Sequence, residues 1–166
     1  MKTSLLLLCV CALAAFTFVP AVSAKLPDSQ LKAAGDIELT TDLLDKMEKA
    51  ATAIRADDAA RAELNAIKET DMDVMAAKME SNCPKAAAHL KEAEITAAEL
   101  MKGTSAMLAC FMDEGGELAK SDNETAKANA EFCKENKDRC DKVGGEVMAM
   151  QTAPGEAGPM DAAKKP

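Results

Sequence analysis

Tryptophan and tyrosine are absent from this chain and phenylalanine occurs four times, so aromatics make up 2% of the residues. Phe16 and Phe18 fall in an apolar run near the amino end, which leaves Phe111 and Phe132 for a folded body. Leu, Met, Ile and Ala must therefore fill the core, and Ala-rich faces bury little area each, at roughly 25 cal/mol per Å². Histidine occurs once, as His89, which excludes a histidine pair and any multi-histidine metal site. No C-x-x-C-H run is present, so covalent c-type haem is excluded. Basic charge is scarce: 20 Lys and Arg stand against 28 Asp and Glu, for a net charge of −8. An acidic body repels phosphates, which argues against nucleic acid and anionic lipid as partners and suits a secreted protein kept in solution.

Long apolar runs are confined to the amino end. One basic residue, Lys2, precedes the run Leu5 to Val19, and Pro20-Ala21-Val22-Ser23-Ala24 follows. Small residues at Val22 and Ala24 suit signal peptidase, and the run is too short to cross roughly 30 Å of hydrocarbon. Residues 1–24 are expected to be a cleaved signal peptide, and the chain to be exported, periplasmic or extracellular, with no membrane span after cleavage.

Cys9 and Cys11 leave with that segment, and Cys83, Cys110, Cys133 and Cys140 remain. An even number of cysteines in an exported chain predicts two disulfides, and the wide spacings fit zinc poorly. Cys133 and Cys140 are seven residues apart. On a continuous helix their Cα atoms lie about 10 Å apart, beyond the roughly 7 Å that a disulfide spans. The two cannot pair unless the helix breaks. A hairpin of the last two long helices brings Cys110 near Cys133, so the expected pairs are Cys110–Cys133 and Cys83–Cys140.

What is abundant is helix-forming sequence. Residues 25–40 have little periodicity and read as a flexible leader; residues 41–150 read as one helical domain. Thr41 is the expected cap of a first helix, about 42–56, whose Leu43, Leu44, Met47, Ala51 and Ile54 form one stripe. A second helix, about 59–80, follows Asp57-Asp58, with a kink or break expected at Thr70-Asp71. Asn82-Cys83-Pro84 starts a short third helix, about 85–93. Thr96 and Glu99 form a capping box, with Ile95 and Leu100 placed to staple the helix entry. That helix is expected to reach Asp113, with Leu100, Met101, Met107, Leu108, Phe111 and Met112 inward and Gly103 where another backbone approaches. A second box, Ser121 to Glu124, opens a last helix, about 124–143, with Asn129, Phe132, Cys133, Asn136 and Cys140 inward, stopped by Gly144-Gly145. Residues 151–166 are rich in Pro, Gly, Ala and Lys and read as a disordered tail. No repeat and no strand is evident. The fold class is all-α: an irregular bundle of four to five helices carrying two disulfides.

Candidate chemistry is sparse. Met72, Met75 and Met79 share a helix face among eleven methionines, and thioether clusters bind Cu(I) because both partners are soft. Methionine at helical spacing is more often core filler. His89 is a candidate axial haem ligand, or a partly exposed helix residue. Asp57-Asp58 and Asp71/Asp73 read as caps, and no base stands at a suggestive spacing from a Ser or Thr nucleophile. Asn129 and Asn136 on an inward face need partners, most simply a helix end or loop. Asn123-Glu124-Thr125 fits an N-glycosylation acceptor.

The runs Cys83-Pro84-Lys85-Ala86-Ala87-Ala88-His89-Leu90-Lys91, Ile95-Thr96-Ala97-Ala98-Glu99-Leu100 and Ala130-Glu131-Phe132-Cys133-Lys134-Glu135-Asn136-Lys137 resemble small uncharacterised helical proteins of the proteobacterial periplasm. The resemblance implies an exported helical protein and localisation in a bacterial periplasm. It implies no activity and no site residue. The residues themselves point to a non-enzymatic binding or structural protein, with another protein or an apolar small molecule as partner and no cofactor. A copper or haem carrier using Met72, Met75, Met79 and His89 is the alternative.

Overall fold

The computed structural model describes residues 25–152, and the expected signal peptide and residues 153–166 of the expected tail lie outside them. The described chain forms eight α-helices and one short 3-10 turn, with no strand among the described residues, so the protein is all-α. The helices are α1 (Asp28–Ala33), α2 (Thr41–Ala56), α3 (Asp58–Ala66), α4 (Met72–Asn82), α5 (Pro84–Glu92), α6 (Ala97–Met112), α7 (Glu124–Glu135) and α8 (Lys137–Met150). The most extensive pairing is between α2 and α8; α6 packs on α4, α1 and α7, and α5 on α3 and α4.

The stripe Leu43, Leu44, Met47, Ala51 and Ile54 of α2 is buried as expected. Its cap is Thr40 rather than Thr41: Thr40 is extended, and its Oγ1 accepts the Leu43 N–H at 3.1 Å. Two adjacent threonines offer the same chemistry, and the extended backbone decides between them. Asp57 and Asp71 each cap a helix by accepting two backbone N–H groups, so the expected second helix is two helices joined by residues 67–71. Cys83, not Asn82, precedes α5 and supplies no side-chain bond, leaving Pro84 at the helix start. The capping box at α6 is formed in both directions: Glu99 N–H reaches Thr96 Oγ1 at 3.1 Å, and Thr96 N–H reaches Glu99 Oε2 at 2.9 Å.

Further expectations change. The segment expected as a flexible leader contains α1, and Leu26, Ala34 and Leu39 are buried. Leu108, Phe111 and Met112 are 43–46% exposed rather than inward; the apolar part of α6 is wider than the neighbouring helices cover. Ser121 is not the box residue, because Asn123 caps α7 through Ala126. The expected last helix breaks at Asn136 and then runs through Gly144-Gly145 to Met150. Tertiary packing overrides the glycines there: Val143, Val147 and Met150 are buried, and a Cβ on Gly144 would meet the Phe111 ring at 3.3 Å. At Gly103 the close neighbour is a side chain rather than the expected backbone: a Cβ would lie 2.6 Å from Met47 Sδ.

Asn129 is fully buried and anchors the amino-terminal segment. Its Oδ1 accepts the Leu39 N–H at 2.7 Å, and its Nδ2 donates to the Ala34 and Ile37 carbonyls at 2.6 and 2.8 Å. A non-helical stretch has no ladder for these backbone groups, and one amide supplies all three partners.

Candidate functional site

A cleft of about 660 Å³ is bounded by α1, the α3–α4 linker, α4, α6 and the end of α8. That volume falls in the range of small-molecule sites. Met72, Met75 and Met79 stand on one face of α4, and Met101 of α6 and Met150 of α8 complete a wall of five thioethers. Met79, Met101 and Met150 are buried, whereas Met72 and Met75 are half-buried at the opening. Unbranched, polarisable methionines adapt to irregular shapes, so such a wall receives an apolar body without demanding one outline.

Polar residues share the lining, among them Asn65, Lys68, Thr70, Thr104, Ser105 and Gln151. Thr104 Oγ1 is occupied by its own helix, donating to the Leu100 carbonyl at 2.7 Å, and Asn65 Nδ2 donates to the Arg61 and Thr152 carbonyls. Lys68 is the cationic lining residue, and its Nζ turns back to the Asn65 carbonyl at 2.9 Å. Gln30 differs: its Oε1 is buried and has no hydrogen-bond partner. An unsatisfied buried acceptor is destabilising by about 1–3 kcal/mol.

The structure therefore brings Met72, Met75 and Met79 together and leaves His89 elsewhere. His89 lies on α5 with Nε2 3.0 Å from Asp57 Oδ2, and its Nδ1, with no hydrogen-bond partner, is 3.9 Å from Glu92 Oε2. The His89 bond, ahead of the Ala60 N–H, holds the Asp57 carboxyl below its ordinary pKa. Among the described residues no group of three or more His, Cys, Asp or Glu side chains is arranged to hold a metal ion.

Among the described residues Cys83, Cys110, Cys133 and Cys140 are free thiols, and no pair of their sulfurs is at bonding distance. The expected pairs Cys110–Cys133 and Cys83–Cys140 are not formed. Cys83 is buried at the α4–α5 junction, where burial and Glu63 raise its pKa. Cys140 instead neighbours Cys133, because the break at Asn136 ends the straight helix that would hold the two apart. Asn136 keeps its amide local, donating to the Phe132 carbonyl at 2.9 Å. At Asn123 the side chain is the α7 cap and lies against Gly35, whose added Cβ would fall 2.1 Å from Nδ2.

Sequence reasoning missed Met101, Met150 and Gln30 as members of one site. The α4 methionines were visible as a face, but Gln30 comes from the segment expected to be unstructured. Comparison of the chain with known protein families, characterised proteins and solved structures finds no match.

Proposed function

We propose that this protein is an exported, non-enzymatic helical carrier that holds an apolar small molecule in the methionine-lined cleft. One observation carries the reading: Met72, Met75, Met79, Met101 and Met150, from three helices, converge on one cleft of about 660 Å³. The thioethers take the apolar body of the ligand, as the hydrophobic lining of such pockets does. The acidic surface adds solubility rather than ligand affinity.

The test uses Nile red as probe with the chain lacking residues 1–24. Fluorescence should saturate near one equivalent, and Met75→Glu, placed at the half-buried opening, should weaken binding at least tenfold. Equal binding by Met75→Glu and the parent would sink the proposal. Five converging thioethers also favour a second reading, a Cu(I) carrier, since soft sulfur ligands select Cu(I). Titration with Cu(I) separates the two: stoichiometric uptake abolished by replacing Met72, Met75 and Met79 with Leu, with Nile red binding retained, would reverse the ranking.

A further inference from the structure

We propose that Cys110, Cys133 and Cys140 form a three-thiol relay in which Cys133 is the shared member of two alternative disulfides, Cys110–Cys133 and Cys133–Cys140. Three elements assemble it. Helix α6 carries Cys110 to α7, where its Sγ lies 3.5 Å from the Asn129 carbonyl. In an α-helix that carbonyl pairs with the N–H of residue 133, so Cys110 stands one turn from Cys133 on the same face. The third element is the break between α7 and α8. Asn136 has φ −113° and ψ 31°, its N–H meets the Phe132 carbonyl at 2.9 Å, and its own carbonyl accepts the Cys140 N–H at 2.9 Å. The chain does not run straight through this turn, and the Cys133 and Cys140 thiols lie within interaction range of each other. All three cysteines belong to one packed cluster.

Exposure orders the relay. Cys110 is partly exposed, Cys133 is 8% exposed and Cys140 is fully buried. The co-reactant is a small-molecule disulfide such as oxidised glutathione. The Cys110 thiolate attacks one of its sulfurs, forming a mixed disulfide and releasing one glutathione thiolate, which takes up the proton that Cys110 gave to solvent. Cys133 then attacks Cys110 Sγ, expelling the second glutathione thiol and forming Cys110–Cys133. Finally Cys140 attacks Cys133 Sγ, forming Cys133–Cys140, and its proton passes to the departing Cys110 sulfur. One protein disulfide forms, two thiols are oxidised, and one glutathione disulfide is reduced to two thiols. The ionisation pattern supports the last step: the neighbouring Cys133 thiol holds Cys140 below the ordinary thiol pKa, whereas Cys110, Cys140 and burial push Cys133 up.

The experiment incubates the protein lacking residues 1–24 in glutathione buffers of rising oxidised fraction, quenches by alkylation and maps peptides over time. A glutathione adduct on Cys110 should appear first and Cys133–Cys140 should accumulate last, with Cys83 alkylated throughout. Cys140→Ser should halt the sequence at Cys110–Cys133, with loss of the late product. Recovery of Cys133 as a free thiol while the others oxidise, or a disulfide containing Cys83, would overturn the relay. The peptide map of the unsubstituted protein is decisive by itself, so the test stands even where the Cys140→Ser variant fails to fold.

Discussion

At the scale of single residues, two positions carry more of the fold than their neighbours. Asn129 satisfies Leu39 N–H and the carbonyls of Ala34 and Ile37 from a fully buried site. Truncation strands buried backbone groups, each worth about 1–3 kcal/mol. Asn129→Ala should therefore lower stability by about 3 kcal/mol in urea unfolding followed by circular dichroism; a loss no larger than that of a surface substitution would show that water replaces the amide. Glu94 is the second position, with φ +57° between α5 and α6. Its N–H reaches the Lys91 carbonyl and the Ile95 N–H reaches the Leu90 carbonyl, the paired closure that usually places glycine at this site. Glu94→Gly should stabilise the protein by about 1 kcal/mol, because glycine adopts this conformation without a Cβ clash. A thermal melt unchanged or lowered by the substitution would refute the strain argument. Asn129 was legible as an inward amide in need of partners; the left-handed Glu94 was not, because nothing in a glutamate's chemistry announces positive φ.

At the scale of elements, capping chemistry decides where helices begin. Thr96 and Glu99 close a reciprocal box at α6, and bonds from the Thr96 N–H first and its hydroxyl second keep the Glu99 carboxyl below its ordinary pKa. Thr96→Ala should cost about 1 kcal/mol, and Thr96→Ser almost nothing, because either hydroxyl accepts the Glu99 N–H. Chemical denaturation of all three proteins checks this, and indistinguishable midpoints would mean the box contributes nothing. The elements misread from sequence share one cause. Gly144-Gly145 signals a stop only if the chain is free to stop, and the buried Val143, Val147 and Met150 hold α8 against α2 through it. Conversely, residues 124–143 read as one amphipathic helix, and the Asn136 turn has no proline or glycine to mark it.

At the scale of the whole molecule, two carboxylates link stability to pH. Asp57 is held low chiefly by His89 and Glu99 chiefly by Thr96. Both bind a proton more weakly folded than unfolded, so their contribution is present above the unfolded values of about 4 and is lost as pH falls through the lower folded ones. Urea midpoints measured stepwise from pH 7 to pH 2 should decline in that acidic window, and Asp57→Asn should flatten part of the decline. A decline of undiminished size in that variant would remove Asp57 from the explanation.

The helical class, the α2 stripe and the Thr96–Glu99 start were set by local rules, namely periodicity, propensity and caps, which act within a few residues along the chain. Those rules are short-ranged, so the sequence alone determined which stretches become helix and several of the places where they begin. The methionine cleft, the buried Gln30 acceptor and the Cys110, Cys133 and Cys140 cluster join residues far apart in the chain. They depend on which faces meet, and only the packing of α1, α4, α6, α7 and α8 decides that, because side chains meet across helices according to crossing geometry rather than spacing along the chain.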